Sequence, residues 1–320
     1  MKRILVTGAA GQIGTELVLR LREELGAEAV LATDLRAPGE DHPVVAGGPF
    51  QALDCTRGED LAAAVRAHRP DTVFHLAALL SAVGERDPLA AYRVNLGGLI
   101  EVLEVARAER LAVFTPSSIA AFGPDTPRDP TPQDTIQRPT SMYGVTKVAG
   151  ELLCDYYHHR FGVDTRGLRY PGLISHTAPP GGGTTDWAVE IFHAAVAEGR
   201  YTCFLGADTQ LDMMYMDDAV RAAMELMEAD AERLRHRNAY NITAFQLTPR
   251  GLAEILREHI PDFTIDYDVD PVRQAIADSW PRRIDDSAAR EAWGWSPRFT
   301  ARSMTETMLN ALRPPVNHGP

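Results

Sequence analysis

Tyr143 and Lys147 stand four residues apart in SMYGVTKVAG, just after a loop rich in proline. On a helix that spacing sets a phenol and an ammonium on one face, one turn apart. An isolated tyrosine titrates at about 10 and a neighbouring cation favours its ionised form, so Tyr143 is a candidate general base. Alone the pair is weak, because most such pairs are surface residues of an amphipathic helix. FTPSSIAAFG strengthens it by setting Ser117 and Ser118 at the end of an apolar strand, where hydroxyls face the ligand crevice of a doubly wound sheet.

A second group reads as a phosphate cradle. VTGAAGQIG places Gly8, Gly11 and Gly14 between a strand and a helix. The first glycine makes the tight turn, the second admits a pyrophosphate to the backbone, and the third lets helix pack on strand. The diphosphate then rests on the helix N-terminus. Asp34 ends the next strand, at the offset of about 20 residues expected of an acid that holds the adenosine ribose. A carboxylate there repels a 2′-phosphate, so NAD is expected rather than NADP; Arg36, close by, is the feature that favours the other cofactor.

These residues need a frame of alternating strands and helices. RILVT (3–7), AVLAT (29–33), DTVFHLA (71–77), LAVFTPS (111–117) and TRGLRY (165–170) read as buried strands. Between them GQIGTELVLRLREEL, RGEDLAAAVRAHR, DPLAAYRVNLGGLIEVLEVARAER and YGVTKVAGELLCDYYHHRFG carry helical periodicity. The expected fold is α/β, a doubly wound parallel (Rossmann) sheet with a smaller C-terminal part. Composition shifts at the Pro/Gly-rich stretch PGLISHTAPPGGGTTD. Residues 1–170 are therefore expected to bind the dinucleotide, with 214–245 returning to that domain, and 171–320 to form the substrate-binding part.

Composition narrows the partners. A chain of 320 residues, 45% hydrophobic and 24% charged, can bury a sizeable core. Its net charge of -12 argues against nucleic acid or an anionic membrane surface and leaves a small molecule as the expected ligand. Three widely spaced cysteines fit reduced thiols and match no metal-ligand spacing, so no metal is expected. The chain opens on a strand rather than a signal segment, and no apolar run approaches the ~20 residues of a membrane span. It is expected to be soluble and cytoplasmic.

The glycine motif, HLAA (75–78), Asn95 in YRVNLGG, the serine loop, the Tyr143/Lys147 pair and GLRYPG (167–172) occur together in one order. In this the chain resembles the extended short-chain dehydrogenase/reductases over most of its length. The resemblance implies a Ser-Tyr-Lys set: Ser118 polarises a substrate hydroxyl, Tyr143 takes its proton, and Lys147 tunes the phenol and holds a ribose. Ser117 is the other candidate for the serine. The resemblance also implies an NAD site formed by Gly8, Gly11, Gln12, Ile13, Gly14, Asp34, Leu35, Asp54, Leu76, Ala77, Ala78, Asn95 and Tyr170, together with Tyr143 and Lys147.

Substrate needs its own argument, because one fold serves many reactions. Nucleotide-sugar members of that group carry an asparagine after the RY strand and an arginine before the D-x-x-x-x-D strand. Here Gly172 and Leu211 stand in those places, so two anchors for a diphosphate are missing. Ser81, Thr184 and Asp186 instead offer hydroxyls and one carboxylate suited to a zwitterion. An N-cap before an apolar helix accounts for Asp186 or Thr185 equally well. LRYPGLIS, PGGGTTDWAVEIF and MMYMDDAV resemble the short-chain-type L-threonine 3-dehydrogenases. That resemblance implies L-threonine bound by Ser81, Ser118, Tyr143, Thr184 and Asp186 and oxidised to 2-amino-3-oxobutyrate. A nucleotide-sugar epimerase or dehydratase and a catalytically silent NAD sensor are the alternatives.

The helices near 88–109 and 143–161 correspond to the pair that forms the dimer interface in the extended group. Leu96, Leu99, Val102, Leu103, Leu152 and Leu153 are their candidate contact residues, and a homodimer is expected. Trp293 and Trp295 read as anchors, and the methionines of LDMMYM as core.

Overall fold

β1 (Ile4–Thr7) shows how the sheet is wound. Ile4 and Val6 enter one buried cluster and Leu5 another, the two-residue alternation of a strand covered on both faces. The computed structural model describes residues 1–177 and 183–313. Along the chain follow β2 (Val30–Asp34), β3 (Phe50–Ala52), β4 (Thr72–His75), β5 (Ala112–Phe114), β6 (Ser117–Ser118) and β7 (Thr165–Arg166). All but β6 form one parallel sheet in the order β3-β2-β1-β4-β5-β7. The order reverses between β1 and β4, and the crevice beyond the carboxyl ends of those strands is where such sheets bind ligands.

One face of the sheet packs Leu17 and Leu21 of helix Gln12–Leu25 with Ala219 and Ala223 of helix Met216–Glu228. The other packs Leu61, Leu99, Leu103 and Cys154 from helices Gly58–His68, Gly98–Glu109 and Met142–Phe161. The doubly wound α/β fold is therefore present as expected.

The remaining strands build smaller sheets. They are β8 (Leu168–Tyr170), β9 (Gly172–Ile174), β10 (Arg200–Cys203), β11 (Leu211–Tyr215), β12 (Tyr240–Asn241), β13 (Phe245–Leu247) and β14 (Thr264–Tyr267). β8 lies between β6 and β12, β11 between β9 and β13, and β10 pairs with β14. Helix Trp187–Glu198 covers β9 and β11, burying Trp187, Ile191 and Phe192 with Ile174, Met213 and Tyr215. The methionines Met213, Met214 and Met216 are all core residues, as the sequence suggested.

Three elements depart from the sequence reading. TRGLRY is two strands, because Gly167 lies against the Asn238 and Thr115 carbonyl oxygens, each 2.6 Å from where a Cβ would stand. LAVFTPS is likewise split into β5 and β6 around Pro116, which has no N–H for the ladder. β3, only three residues long and without apolar alternation, was not foreseen. The long helix from Pro88 to Glu109 contains a π-helical turn at Arg93–Gly97, and Asn95 sits in it.

The apolar residues expected at a dimer contact are mostly internal. Leu96, Leu99, Val102 and Leu103 are buried in the chain's own core, Leu153 packs against it, and Leu152 is 63% exposed. The exposed apolar side chains on the same two helical segments are Leu89, Tyr92, Ile100, Val145, Leu152, Tyr156 and Phe161. Periodicity placed the helices correctly, and of the six expected contact residues most face the sheet while Leu152 faces outward. Trp295 is buried, under the Arg221 guanidinium at 4.7 Å, and the Trp293 ring meets Tyr240 edge-on at 4.7 Å. No helix among the described residues is long and apolar enough to cross a membrane.

Candidate active site

The turn after β1 packs backbone against backbone. Gly8 has a φ of 69°, and a Cβ there would stand 2.6 Å from the Ala77 nitrogen and 2.8 Å from the Leu76 carbonyl carbon. At Gly14 a Cβ would lie 2.2 Å from the Gly8 carbonyl oxygen, so this glycine seats the helix on the turn. Gly11 caps helix Gln12–Leu25 with no side-chain oxygen. The first turn of that helix begins at Gln12 and Ile13, and the N-terminus of a helix that opens on glycine suits an anion.

Asp34 closes the other side of the turn. Its Oδ2 accepts the Ala10 N–H at 3.0 Å and its Oδ1 accepts the Leu35 N–H at 2.7 Å. Leu35 itself is exposed, and Leu76, Ala77 and Ala78 continue from β4 beside Gly8. Asp54, after β3, accepts the Thr56 N–H and hydroxyl at 2.9 and 2.7 Å through Oδ1. These residues fit a dinucleotide: the three glycines clear side chains from the turn, and a carboxylate stands at the end of β2 for a ribose diol.

Helix Met142–Phe161 carries the reactive side chains. Ser141 caps it by accepting the Gly144 N–H at 3.1 Å. Tyr143, Lys147 and Glu151 then descend one face at steps of four. The Ser118 hydroxyl lies beside the Tyr143 phenol and favours its ionised form, and Lys147 Nζ lies 5.3 Å from the Tyr143 ring centroid. Ser117 points elsewhere: it is buried and donates to Glu151, which also accepts from Arg169 at 2.8 and 3.0 Å and from Gln137 at 2.9 Å. Of the two serines, Ser118 is therefore the one that meets the phenol.

The electrostatics differ from the simple expectation of a phenol held down by a cation. Burial pushes Tyr143 up to about 12, with the Ser118 hydroxyl pulling the other way. Lys147 is turned to the Pro116 carbonyl, to which Nζ donates at 2.7 Å. Burial draws its ammonium down to about 8, opposed by Glu151 and Cys154. The chain alone thus holds Tyr143 protonated.

Two expected cofactor residues have their side chains engaged within the protein. Asn95 accepts the Leu79 N–H at 2.8 Å and donates to the Leu79 carbonyl at 3.1 Å and to Thr146 Oγ1 at 3.0 Å. It ties the loop after β4 to the helix of Tyr143. Tyr170 is buried, and its hydroxyl donates to the Ala219 carbonyl at 2.8 Å. Its ring lies in the sheet's core, which leaves its backbone as the part that can face a cofactor.

On the substrate side Ser81 opens helix Ser81–Arg86 as a buried residue. Thr184 and Asp186 are buried in the turn that leads into helix Trp187–Glu198. Asp186 makes no side-chain cap to that helix; its Oδ2 accepts the Gly183 N–H at 2.7 Å instead. The first part of the glycine-rich loop, 178–182, lies outside the described residues.

Sequence reasoning missed the groups behind Lys147. A cavity of about 20 Å³, lined by His75, Asn95, Thr115, Lys147, Glu151 and Asn238 among others, is the size of one water molecule. The Asn238 Oδ1 is buried without a hydrogen-bond partner. His75 hydrogen-bonds Thr7 Oγ1 at 2.7 Å, and burial holds it neutral, down to about 3. The four-residue step from Lys147 to Glu151 was the available signal. A larger cavity of about 440 Å³ between helices Gln12–Leu25 and Met216–Glu228 contains none of the candidate residues. Arg20 and Arg221 there pair with neighbouring carboxylates. Among the described residues no group of three His, Cys, Asp or Glu is placed to hold a metal.

Residues 4–243 match the model of the NAD dependent epimerase/dehydratase family. A curated relative, an uncharacterized epimerase/dehydratase of Staphylococcus haemolyticus, is 57% identical over 312 residues, 98% of each chain. Among solved structures, an L-threonine dehydrogenase from Clostridium difficile is 52% identical with a TM-score of 0.96, covering 98% of each chain. The holo form of a GalE-like L-threonine dehydrogenase from Cupriavidus necator is 49% identical with a TM-score of 0.94, over 97% of this chain and 100% of that one.

Proposed function

The chain belongs to the NAD dependent epimerase/dehydratase family, and from that premise we propose that it oxidises the β-hydroxyl of L-threonine to 2-amino-3-oxobutyrate with NAD. The observation that carries the reading is the Ser118 hydroxyl beside the Tyr143 phenol, with Lys147 one turn further on. Bound NAD supplies the hydride acceptor. Gly8, Gly11, Gln12, Ile13, Gly14, Asp34 and Leu35 would hold it, with Asp54 and the Leu76–Ala78 loop beside them. Residues 1–170 with 214–245 form the cofactor side, and the rest of 171–320 the substrate side.

Ser118 donates to the substrate oxygen and stabilises the carbonyl that develops there. Tyr143 takes the hydroxyl proton, which requires the phenolate. Since burial raises the phenol, the ionised fraction grows with pH, and turnover should climb on the alkaline side. Lys147 carries charge below about 8. Thr184 and Ser81 offer donors for the substrate carboxylate, and Asp186 a counter-charge for its ammonium.

Support for threonine comes from two directions. The solved relatives at 52% and 49% identity are L-threonine dehydrogenases. The anchors a nucleotide diphosphate would use are also missing: Leu211 is fully buried, and a side chain at Gly172 would collide with Met213 and Thr185. A silent NAD sensor has no use for the Ser118–Tyr143–Lys147 set. The exposed apolar face of helices 88–109 and 142–161 is proposed to join two copies; a monomer in solution at micromolar concentration would remove that claim.

The experiment is reduction of NAD, followed by absorbance, with L-threonine against L-serine and UDP-glucose. Threonine-dependent reduction is expected, falling ~10²-fold or more in Tyr143→Phe while NAD still binds. No reduction with any amino acid would sink the reading.

A further inference from the structure

We infer that Gly172 is a positioning residue: the space left by its missing side chain seats the Thr185 methyl group, and that seat fixes where Thr184 and Asp186 stand. The part of this that concerns substrate rests on the threonine reading above.

Gly172 and Met213 are direct partners on β9 and β11, so both project to the same face of the small sheet. Ile174 and Tyr215, two residues on, share that face and are buried with Trp187, Ala188 and Ile191 of the covering helix. The turn 183–186 enters that helix immediately above Gly172. A Cβ on Gly172 would stand 2.4 Å from Met213 Sδ, 2.9 Å from Met213 Cε and 2.8 Å from Thr185 Cγ2. All three contacts are shorter than real Cβ atoms make.

The two neighbours differ in how they can yield. Met213 ends in a flexible thioether and can change rotamer, although it is fully buried. Thr185 is short and β-branched with a restricted χ1, so its methyl group has little freedom to move apart from its backbone. That backbone belongs to a turn closed on itself. The Asp186 N–H donates to the Gly183 carbonyl at 3.3 Å, the Gly183 N–H to Asp186 Oδ2 at 2.7 Å, and the Ala188 N–H to the Thr185 carbonyl at 3.1 Å. Lifting Thr185 therefore lifts Thr184 and Asp186 with it. The dinucleotide turn at Gly8 and Gly14 shares no contact with Gly172.

The test is a double-substitution cycle read by kinetics and amide hydrogen exchange. Gly172→Ala is expected to raise KM for L-threonine roughly tenfold, with kcat and NAD affinity within about threefold. Amides 183–190 should exchange faster and those of β1 and β2 unchanged. Adding Thr185→Ser removes the colliding methyl group and should return KM to the level of Thr185→Ser alone. If Gly172→Ala/Met213→Ala restores KM and Gly172→Ala/Thr185→Ser does not, the defect is core packing and the inference fails. Should Gly172→Ala not fold, Thr185 decides alone. Thr185→Val, which keeps the methyl group, should hold KM, and Thr185→Ser should raise it; the reverse order overturns the proposal. A wild-type chain inert toward threonine would sink the substrate reading, while the exchange pattern would still decide on Gly172.

Discussion

The cofactor side and the substrate side of the crevice are built by different means. Around Gly8 and Gly14 the shape comes from backbone meeting backbone: each of the two glycines is needed because another main-chain atom occupies the space of its side chain. Around Thr184 and Asp186 the shape comes from side chains brought together from β9, β11 and the turn before helix Trp187–Glu198. Backbone collisions have no rotamer that relieves them, whereas side-chain collisions often do. The first side should therefore fail abruptly on substitution and the second by degrees.

The largest effect should come from Gly14→Ala. Its Cβ would meet the Gly8 carbonyl oxygen at 2.2 Å and Ala9 at 2.8 Å, with only backbone able to move. Overpacking of this kind costs ~1–3 kcal/mol, and the distortion falls on the turn itself. NAD affinity, measured by titration of cofactor fluorescence, should drop by up to about 10²-fold, beyond what Gly172→Ala does to KM for threonine. Equal losses in the two variants would break the contrast between the sides.

A smaller effect is expected from Asp34→Ala. Its carboxylate holds the Ala10 and Leu35 N–H groups and stands where a ribose would be bound. Losing a charge-assisted hydrogen bond of about 1.5–3 kcal/mol should weaken NAD roughly tenfold or more and erode its preference over NADP. Unchanged affinity and preference would remove Asp34 from the site.

The smallest expected effect is on stability and belongs to the substrate side. Asp212, next to Met213, accepts from Thr243, from Gln246 at 2.8 Å and from the Ile284 N–H at 2.7 Å. Burial pushes its carboxyl up from 3.8 to about 7 despite those hydrogen bonds. A raised carboxyl contributes stability that is complete below its unfolded value and lost as pH rises through its folded one. The melting temperature should therefore fall by a few degrees between about pH 5 and pH 8, and by less in Asp212→Asn. A flat profile in the wild type would show that the burial is relieved by solvent.

Legibility followed the same division. The glycine turn, Asp34 and the Tyr143/Lys147 pair could be read because each is a short-range pattern tied to one element. The choice of Ser118 over Ser117 came from the family resemblance and not from the residues themselves, since it depends on Glu151, more than thirty residues on, taking the Ser117 hydroxyl. The direction of the Tyr170 side chain could not be read either, because adjacent strand residues face opposite ways and nothing nearby shows that its hydroxyl meets Ala219. Leu99 and Leu103 looked like an outer stripe because a helix lying between sheet and solvent offers two apolar faces with one period. β3 was too short for any alternation to register.

The line of Tyr143, Lys147 and Glu151 down one helix acts as a ruler whose graduations cannot be reset. Four residues of helix advance about 6 Å and return almost to the same bearing, while one residue more or fewer swings everything beyond it by about 100°. Adding or removing a single residue between Tyr143 and Lys147 would leave the phenol in place and carry the ammonium and the carboxylate out of line, and one between Lys147 and Glu151 would carry off the carboxylate alone. Chains descended from this one can differ in length at many surface loops, but in that stretch of nine residues their lengths must agree.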